Sequence, residues 1–270
     1  MAFTKVFKRL EKKYLISSDQ YRALTEALGE HIVPDKYGRS TINNIYFDTP
    51  NYQLIRASIE KPTVYKEKLR IRSYGSPTPD SNVFVELKKK YNGIVYKRRV
   101  DMTYDEAIRY LYMHQPPDKP TQVTKEIDAF VSFYKGLRPA VSLFYDRVAY
   151  YSRLDPELRL TFDTNIRFRN RELDLSRGDY GTVILDESQY ILEIKCIDSM
   201  PLWLTHELDR LKIFPSSYSK YGTAYKYMLE NGFIRFGTRK TENAATRRTV
   251  TANKATDRSA VSTPQSDLQV

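Results

Sequence analysis

Polar and apolar residues alternate along much of the chain, a pattern typical of β-strands with one buried face. Eight segments rich in β-forming residues lie between turn signals. They span residues 7–16, 42–48, 65–74, 83–90, 94–102, 141–151, 158–169 and 190–195. Because many consecutive strands are joined by short turns, the pattern predicts an antiparallel sheet or barrel.

Five further segments carry helical signals instead. Ser18 or Asp19 can cap a helix that ends before Gly29. Thr103 and Glu106 form a capping-box pattern at the start of another helix. The predicted helices span residues 19–28, 104–114, 123–134, 203–211 and 219–230. The sequence therefore predicts an α+β fold.

One face of the predicted strands is densely cationic. The alternation places on this face Lys66, Lys68, Arg70, Arg72, Lys88, Lys97, Arg147 and Arg159. For any single strand, a solvated lysine-rich face is an adequate explanation. Across several strands, however, like charges directly opposite one another are destabilising and need a compensating anion. The opposite apolar faces also need cover, which helices can provide. Both demands are met by a barrel with a charged lumen and helices packed on its outer wall.

Composition narrows the class of partner. The 270 residues carry a net charge of +11, which favours a polyanionic partner such as nucleic acid, nucleotide, phosphate polymer or anionic membrane. Cys196 is the single cysteine, so disulfides and cysteine metal clusters within the chain are excluded. The three histidines lack the paired spacing of a zinc site. A lumen of cations with a few carboxylates suits a polyphosphate accompanied by Mg²⁺ or Mn²⁺.

The last residues differ in character from the rest. Residues 238–270 contain almost no large apolar side chains, so we expect a disordered basic tail after a folded domain of residues 1–237. The tail contributes +3 of the net charge, so the folded part remains basic. No apolar run approaches the ~20 residues of a membrane span, and the N-terminus lacks a signal-peptide core. We therefore expect a cytoplasmic protein without a transmembrane segment.

Seven short motifs occur in an order that indicates a family. They are Glu11-Lys12-Lys13-Tyr14, Ile45-Tyr46-Phe47-Asp48, Leu69-Arg70-Ile71-Arg72-Ser73-Tyr74-Gly75, Phe84-Val85-Glu86-Leu87-Lys88, Phe144-Tyr145-Asp146-Arg147, Ile191-Leu192-Glu193-Ile194-Lys195 and Tyr218-Ser219-Lys220-Tyr221. Together, from about Arg9 to Glu230, the chain resembles the VTC domain of the CYTH-type triphosphate tunnel metalloenzyme superfamily.

The resemblance implies a tunnel of about eight antiparallel strands. It also implies an ATP:polyphosphate phosphotransferase that moves the γ-phosphate of ATP onto a polyphosphate chain, with Mn²⁺ or Mg²⁺ as cofactor. By position, the substrate-binding residues implied are Lys13, Arg70, Arg72, Lys88, Lys97, Tyr145, Arg147, Arg159, Ser219 and Lys220. Glu193 matches the metal-binding carboxylate. The expected catalytic group is Arg70, Arg72, Lys220 and Glu193.

The chain departs from the superfamily pattern at one informative position. The hydrolytic branch carries Glu-x-Glu-x-Lys near its N-terminus, whereas this chain has Arg9 in place of the first acid and retains Glu11 and Lys13. The change favours a polymerase over a triphosphatase. The SPX domain and membrane helices that often accompany eukaryotic members do not occur in these 270 residues, so we expect any regulation or translocation to need a partner protein, with a membrane protein as the candidate.

Three alternatives remain open from the sequence. The first is a non-catalytic module that binds polyphosphate or nucleotide, and the second is an inorganic triphosphatase. The third is a nucleic-acid-binding barrel. Single-strand binders place aromatic residues among their cations for base stacking, whereas Tyr145 is the main aromatic residue on the cationic face. Nucleic acid is therefore not the expected partner.

Overall fold

A computed structural model of the chain describes residues 9–59, 64–92 and 94–235. Its strands are β1 (Arg9–Ser17), β2 (Ile32–Pro34), β3 (Ser40–Asp48), β4 (Tyr65–Tyr74), β5 (Asn82–Tyr91), β6 (Ile94–Thr103), β7 (Arg138–Ser152), β8 (Arg159–Arg169), β9 (Thr182–Leu185) and β10 (Gln189–Ile197). Its α-helices are α1 (Ser18–Ala27), α2 (Gln53–Ile59), α3 (Tyr104–Tyr112), α4 (Gln122–Phe133), α5 (Leu202–Arg210) and α6 (Lys220–Glu230). The predicted tail at 238–270 lies outside the described residues, as do residues 7 and 8 of the first predicted strand.

All ten strands belong to one antiparallel sheet. Eight follow the order β1-β10-β8-β7-β3-β4-β5-β6, while β2 pairs with β7 and β9 pairs with β8. The predicted antiparallel α+β fold is confirmed. Among the described residues no pairing joins β1 to β6, so the sheet is a curled half-barrel rather than a fully hydrogen-bonded ring.

Short elements account for most differences from the sequence prediction. The eight predicted strands and five predicted helices are present, while β2, β9 and α2 were not predicted. Helix α2 has an unusual cap, because the Asp48 carboxylate accepts hydrogen bonds from the backbone amides of Leu54 (2.9 Å) and Ile55 (3.0 Å). An acid this far from the helix start gives no recognisable local signal.

The convex face of the sheet is covered by helices. Leu69, Ile71 and Leu87 point outward from β4 and β5 and pack in one apolar cluster with Ala107 of α3 and Ile127 of α4. Each of these side chains is fully buried. Fully burying a side chain the size of leucine or isoleucine stabilises the fold by roughly 1.5–3 kcal/mol. This packing orients the alternate, cationic positions of β4 and β5 toward the concave side.

A second outer cluster covers the other end of the sheet. Leu24 of α1 and Leu204 of α5 pack against Phe162 of β8 and Leu192 of β10. These strand residues alternate with Asp163 and Glu193, which consequently face inward. Helices on the outer wall are therefore confirmed at both ends of the sheet.

Helix α6 is placed differently, against the concave face. Its Tyr221 ring stacks on inward-facing Tyr46 with ring centroids 5.0 Å apart, and its hydroxyl donates to Asp48 at 2.9 Å. Ala224 and Met228 are fully buried in the same cluster. Helix α6 thus fills part of the half-barrel and brings its N-terminus to the cationic surface. Among the described residues, no helix combines the length and apolar character needed to cross a bilayer.

Candidate functional site

The concave face of the sheet, here called the lumen, collects charged residues from seven strands. Strand register places side chains directly opposite one another on the same face: Arg70 opposite Glu86, Arg147 opposite Asp163, and Lys13 opposite Glu193. The lumenal set is Glu11, Lys13, Asn44, Tyr46, Lys66, Lys68, Arg70, Arg72, Glu86, Lys88, Lys90, Lys97, Arg99, Tyr145, Arg147, Arg159, Thr161, Asp163, Glu193 and Lys195. Cations greatly outnumber carboxylates in this set.

Strands that are distant in the sheet order face each other across the lumen. Burial lowers the pKa of Lys88 on β5, and nearby Lys13 on β1 acts in the same direction, while Glu11 and Glu193 oppose the change. β1 and β10 lie at the opposite end of the strand order from β5. Direct contacts show the curl as well, because the neighbouring residues Ser219 and Lys220 contact Lys68 of β4 at 3.3 Å and Asp163 of β8 at 2.6 Å.

Glu86 organises one group of lumenal cations. Its carboxylate accepts hydrogen bonds from Nε and Nη2 of Arg70 at 2.8 and 2.6 Å. Lys97 Nζ lies at 2.6 Å, Arg99 Nε at 3.2 Å and Arg72 Nε at 3.9 Å from the same carboxylate. Burial raises the pKa of Glu86, but the cations outweigh it and hold that pKa far below its usual range. Glu86 is therefore a permanent anion that concentrates positive charge around itself.

Neutral side chains orient the two arginines of β4. Arg70 Nη1 donates to the Tyr46 hydroxyl at 2.8 Å. Arg72 donates to Asn44 Oδ1 at 2.9 Å and to the Tyr145 hydroxyl at 3.0 Å. Burial raises the pKa of Tyr46, yet Arg70 and other nearby cations outweigh it and lower the pKa to about 8. The guanidinium groups are consequently held in fixed positions before any ligand arrives.

Asp163 organises a second group at the junction of β7, β8 and α6. Arg147 donates from Nε and Nη2 to its two oxygens at 2.6 and 2.7 Å, and Lys220 Nζ donates at 2.6 Å. Burial opposes ionisation of Asp163, but Arg147 and Lys220 outweigh it and depress the pKa. The Lys220 ammonium also lies 4.5 Å from the centroid of the Tyr145 ring.

Ser219 is the N-cap residue of α6 and lies at the edge of this group. Its hydroxyl caps the helix by accepting from Gly222 N at 3.1 Å, and it also accepts from Lys68 Nζ at 3.3 Å. The positive end of the helix macrodipole therefore points toward the lumen. A helix N-terminus beside lysine and arginine side chains favours the binding of an anion.

Glu193 lies in a third group, with two lysines. Lys195 Nζ is 2.6 Å and Lys13 Nζ 4.0 Å from its carboxylate, and Lys13 also contacts Glu11 at 3.5 Å. Burial raises the pKa of Glu193, but Lys195 and Lys13 outweigh it and lower the pKa to about 2. Opposite Glu193 in the sheet, the buried hydroxyl of Thr161 has no hydrogen-bond partner.

The donor set around Glu193 fits a hard divalent cation. Two carboxylates and an unsatisfied hydroxyl supply only oxygen, the ligand type that Mg²⁺ and Mn²⁺ prefer. Within residues 9–59, 64–92 and 94–235, no group of three or more metal-ligating side chains occurs. A cation bound here would therefore take its remaining ligands from phosphate and water, as Mg²⁺ commonly does.

Arg159 is the most loosely held of the predicted arginines. Its Nη2 lies 3.5 Å from Asp35, its guanidinium lies 4.9 Å from the centroid of the Tyr151 ring, and 39% of its side chain is exposed. The buried Nε has no hydrogen-bond partner. An unsatisfied guanidinium donor is well suited to a phosphate oxygen.

Every site residue predicted from the sequence lies in the lumen or at the N-terminus of α6, while the roles assigned to them remain predictions. The list of site residues predicted from the sequence omitted several residues that lie in the lumen, among them Asn44, Tyr46, Lys68, Glu86, Arg99, Thr161 and Asp163. The signal for Glu86 and Asp163 was available, since each alternates with buried apolar residues on a cation-bearing strand. The side chain of Arg9, which replaces the first acid of the hydrolytic signature, lies outside the described part of the structure.

Comparison with solved structures found chains similar to this one. A proposed adenylate cyclase from Bacillus halodurans superposes with a TM-score of 0.50 at 16% identity, covering 78% of this chain and 93% of that one. A Hippeastrum protein, proposed as an adenylyl cyclase and described as having a dominant triphosphatase activity, gives 0.47 at 16% identity, covering 83% and 96%. PH1819 from Pyrococcus horikoshii gives 0.41 at 10% identity, covering 82% and 99%.

At these identities the first likeness supports the fold alone. Comparison with curated protein sequences gave no match. The sequence profile of the VTC domain, in contrast, matches residues 8–229, which is most of the chain. This protein therefore belongs to the VTC domain family.

Proposed function

We propose that this protein is a polyphosphate polymerase that transfers the γ-phosphoryl group of ATP to the end of a polyphosphate chain inside the lumen. The observation that carries the proposal is the convergence of lysines and arginines from β1, β4, β5, β6, β7, β8, β10 and α6 on one concave surface. A surface with so many like charges suits a ligand with many negative charges. Membership of the VTC domain family also supports the proposed polymerase function.

Phosphoryl transfer depends on positioning and charge neutralisation more than on covalent chemistry by the protein. In this proposal Arg70, Arg72, Arg147 and Arg159 bind the non-bridging oxygens of the phosphates. Glu86 and Asp163 hold three of these guanidinium groups in place, so little reorganisation is needed when charge develops in the transition state. Lys13, Lys88, Lys97 and Lys220 neutralise the neighbouring phosphates.

The proposed cofactor is Mg²⁺ or Mn²⁺. Glu193, with Glu11 and the Thr161 hydroxyl nearby, would hold it. When bound, such a cation neutralises phosphate oxygens and helps to orient the triphosphate. Lys13 and Lys195 lie beside the same carboxylate and keep it ionised, so Glu193 is ready to bind a cation at neutral pH.

The direct test is incubation of the purified protein with ATP and Mn²⁺ or Mg²⁺, followed by electrophoretic detection of polyphosphate. We expect polymer from the wild type and from Glu187→Gln, which alters an exposed acid that pairs with Arg39. Glu193→Gln is expected to reduce product by a factor of about 100 or more, by analogy with the loss of one transition-state contact. Unchanged synthesis by Glu193→Gln would reject the metal role.

The same assay separates the alternatives. Release of inorganic phosphate without polymer would identify a triphosphatase, and tight binding of tripolyphosphate without ATP consumption would identify a binding module. The retention of Glu11 without the first acid of the hydrolytic signature supports the polymerase over the triphosphatase.

The proposal has two further parts. The protein acts in the cytoplasm, and a membrane protein is the partner that receives the polymer.

A further inference from the structure

One end of the lumen carries an aromatic pair beside the arginines of β4. The inward positions of this strand continue from Arg70 and Arg72 to Tyr74, its last residue. On β5, Phe84 lies directly opposite Arg72. Tyr74 is two residues beyond Arg72, roughly 7 Å along the strand. The aromatic pair therefore adjoins the guanidinium groups to which the proposed function assigns the phosphates.

The two rings and a nearby arginine form one packed unit. The ring centroids of Tyr74 and Phe84 are 6.0 Å apart and their planes meet at 86°, which is an edge-to-face arrangement that aromatic pairs favour. The Arg99 guanidinium lies 3.5 Å from the centroid of the Phe84 ring, and its Nε is 3.2 Å from Glu86. Phe84 is thus held by Arg99, and it in turn supports the ring of Tyr74.

Tyr74 differs from the other lumenal tyrosines in its exposure. Tyr46 and Tyr145 are 8% and 2% exposed, and their hydroxyls accept hydrogen bonds from Arg70 and Arg72. Tyr74 is 58% exposed, and its hydroxyl makes no hydrogen bond within the part of the chain that the structure describes. An exposed aromatic face next to a cationic groove is the kind of surface on which nucleobases stack, since every base has a π-face.

An acid lies next to this pair. Asp101 on β6 is directly opposite Phe84 and is exposed. Among residues 9–59, 64–92 and 94–235 it has no ion-pair partner. A carboxylate at this position opposes phosphate binding, but it is a suitable acceptor for the exocyclic amine of a base. Adenine carries such a donor, whereas hypoxanthine has a carbonyl at the same position.

We propose that Tyr74, with Phe84 packed against it and Asp101 opposite Phe84, forms a nucleobase subsite at this end of the lumen. It takes the adenine of ATP while the phosphates lie on Arg70 and Arg72. Tyr74 stacks on the base, and Asp101 accepts a hydrogen bond from the exocyclic amine. The identity of the nucleotide rests on the proposed function. The subsite distinguishes a nucleoside triphosphate from a bare chain of phosphates.

The test compares equilibrium binding of ATP and of tripolyphosphate to the full chain, without divalent cation so that turnover does not intervene. In Tyr74→Ala, ATP affinity should fall about tenfold, as expected for the loss of one base–aromatic stack. Tripolyphosphate affinity should stay unchanged, and Tyr74→Phe should bind both ligands as the wild type does. Tyr91→Ala is the matched control, because it removes a tyrosine that is 51% exposed on the outward face at the far end of β5.

Inosine triphosphate tests the role of Asp101. The wild type should bind ATP about fivefold more tightly than inosine triphosphate, the contribution of one hydrogen bond. Asp101→Ala should remove this preference. It should bind both nucleotides at least as tightly as the wild type binds inosine triphosphate, because a negative charge near the phosphates is lost.

Four results would overturn the subsite: no binding of ATP by the wild type, equal losses of the two ligands in Tyr74→Ala, no loss of either, or an equal loss in the Tyr91 control. A preference for ATP that persists in Asp101→Ala would overturn the hydrogen bond. Tyr74→Leu also removes the ring but keeps an apolar contact with Phe84, and it replaces the alanine variant where that one does not fold.

The subsite and the polymerase can fail separately. Selective loss of ATP binding in a protein that makes no polymer would reject the polymerase and retain the subsite. Polymer synthesis by a Tyr74→Ala variant with unchanged ATP affinity would reject the subsite and retain the polymerase.

Discussion

Arg147 and Asp163 face each other across β7 and β8, with Nε 2.6 Å from one carboxylate oxygen and Nη2 2.7 Å from the other. Asp163 is fully buried and also accepts from Lys220. The acid thereby fixes two cations that come from different elements. Together with Glu86, it holds a set of mutually repelling charges in fixed positions on one concave surface.

Replacement of Asp163 with asparagine should destabilise the protein strongly. Removing one partner of a buried ion pair costs about 3–5 kcal/mol, because the other charge is left uncompensated. The measurement is the free energy of unfolding in urea. As a control, Asp105→Asn disrupts an exposed pair with Arg109 and should cost less than about 1 kcal/mol. A comparable loss in the two variants would contradict the role assigned to Asp163.

The same carboxylate should make the stability of the fold fall as the pH is lowered into the acid range. The folded-state pKa of Asp163 is depressed below the unfolded value, which is about 3.9 for aspartate. Its stabilisation is therefore fully present above the unfolded pKa and is lost as pH falls through the folded pKa. Unfolding free energy measured from neutral pH into the acid range should decline less steeply in Asp163→Asn than in the wild type. Parallel curves would show that Asp163 is not among the titrating groups.

Glu86→Gln should separate ligand binding from catalysis. Loss of this anion makes the lumen more positive, so tripolyphosphate binding should be retained or strengthened. The same change releases Arg70, Lys97 and Arg99 from their shared partner. Misplacement of these donors should reduce the rate of ATP consumption about a hundredfold. The variant must keep its far-ultraviolet circular dichroism, and parallel losses of binding and rate would argue against a positioning role.

Polyanion binding should weaken as pH rises through about 8. Burial and nearby cations lower the pKa of Lys68 to about 8, so Lys68 loses its charge in this range. Tyr46 becomes negative in the same range, because Arg70 and other cations lower its pKa to about 8 despite burial. Affinity for tripolyphosphate, measured between neutral and alkaline pH, should fall in the wild type. Lys68→Arg combined with Tyr46→Phe should flatten the profile, and an unchanged profile would contradict this assignment.

Alternation alone was enough to predict the cationic face of the sheet. The outward burial of Leu69 and Ile71 follows from local sequence, and it fixes the inward direction of Arg70 and Arg72. The side chains that contact these arginines could not be predicted from the local sequence in the same way. Glu86 and Tyr46 belong to the neighbouring strands on either side, so their contacts with Arg70 depend on strand register.

The position of α6 on the concave side also escaped prediction. An amphipathic pattern shows that a helix has a buried face but does not identify the surface it covers. Tyr221 contacts Tyr46 and Asp48, which lie far from it in the sequence. The N-terminal placement of Ser219 and Lys220 beside the lumen follows from that tertiary contact, while the family resemblance had already indicated these two residues as candidates.

The most direct test of the central claim is phosphorus NMR of a reaction containing the protein, ATP and Mg²⁺. The polymerase predicts that the γ-phosphate signal of ATP decreases while signals of internal, bridged phosphates increase, with ADP as the second product. Growth of the inorganic phosphate signal alone, with no bridged phosphate, would contradict it.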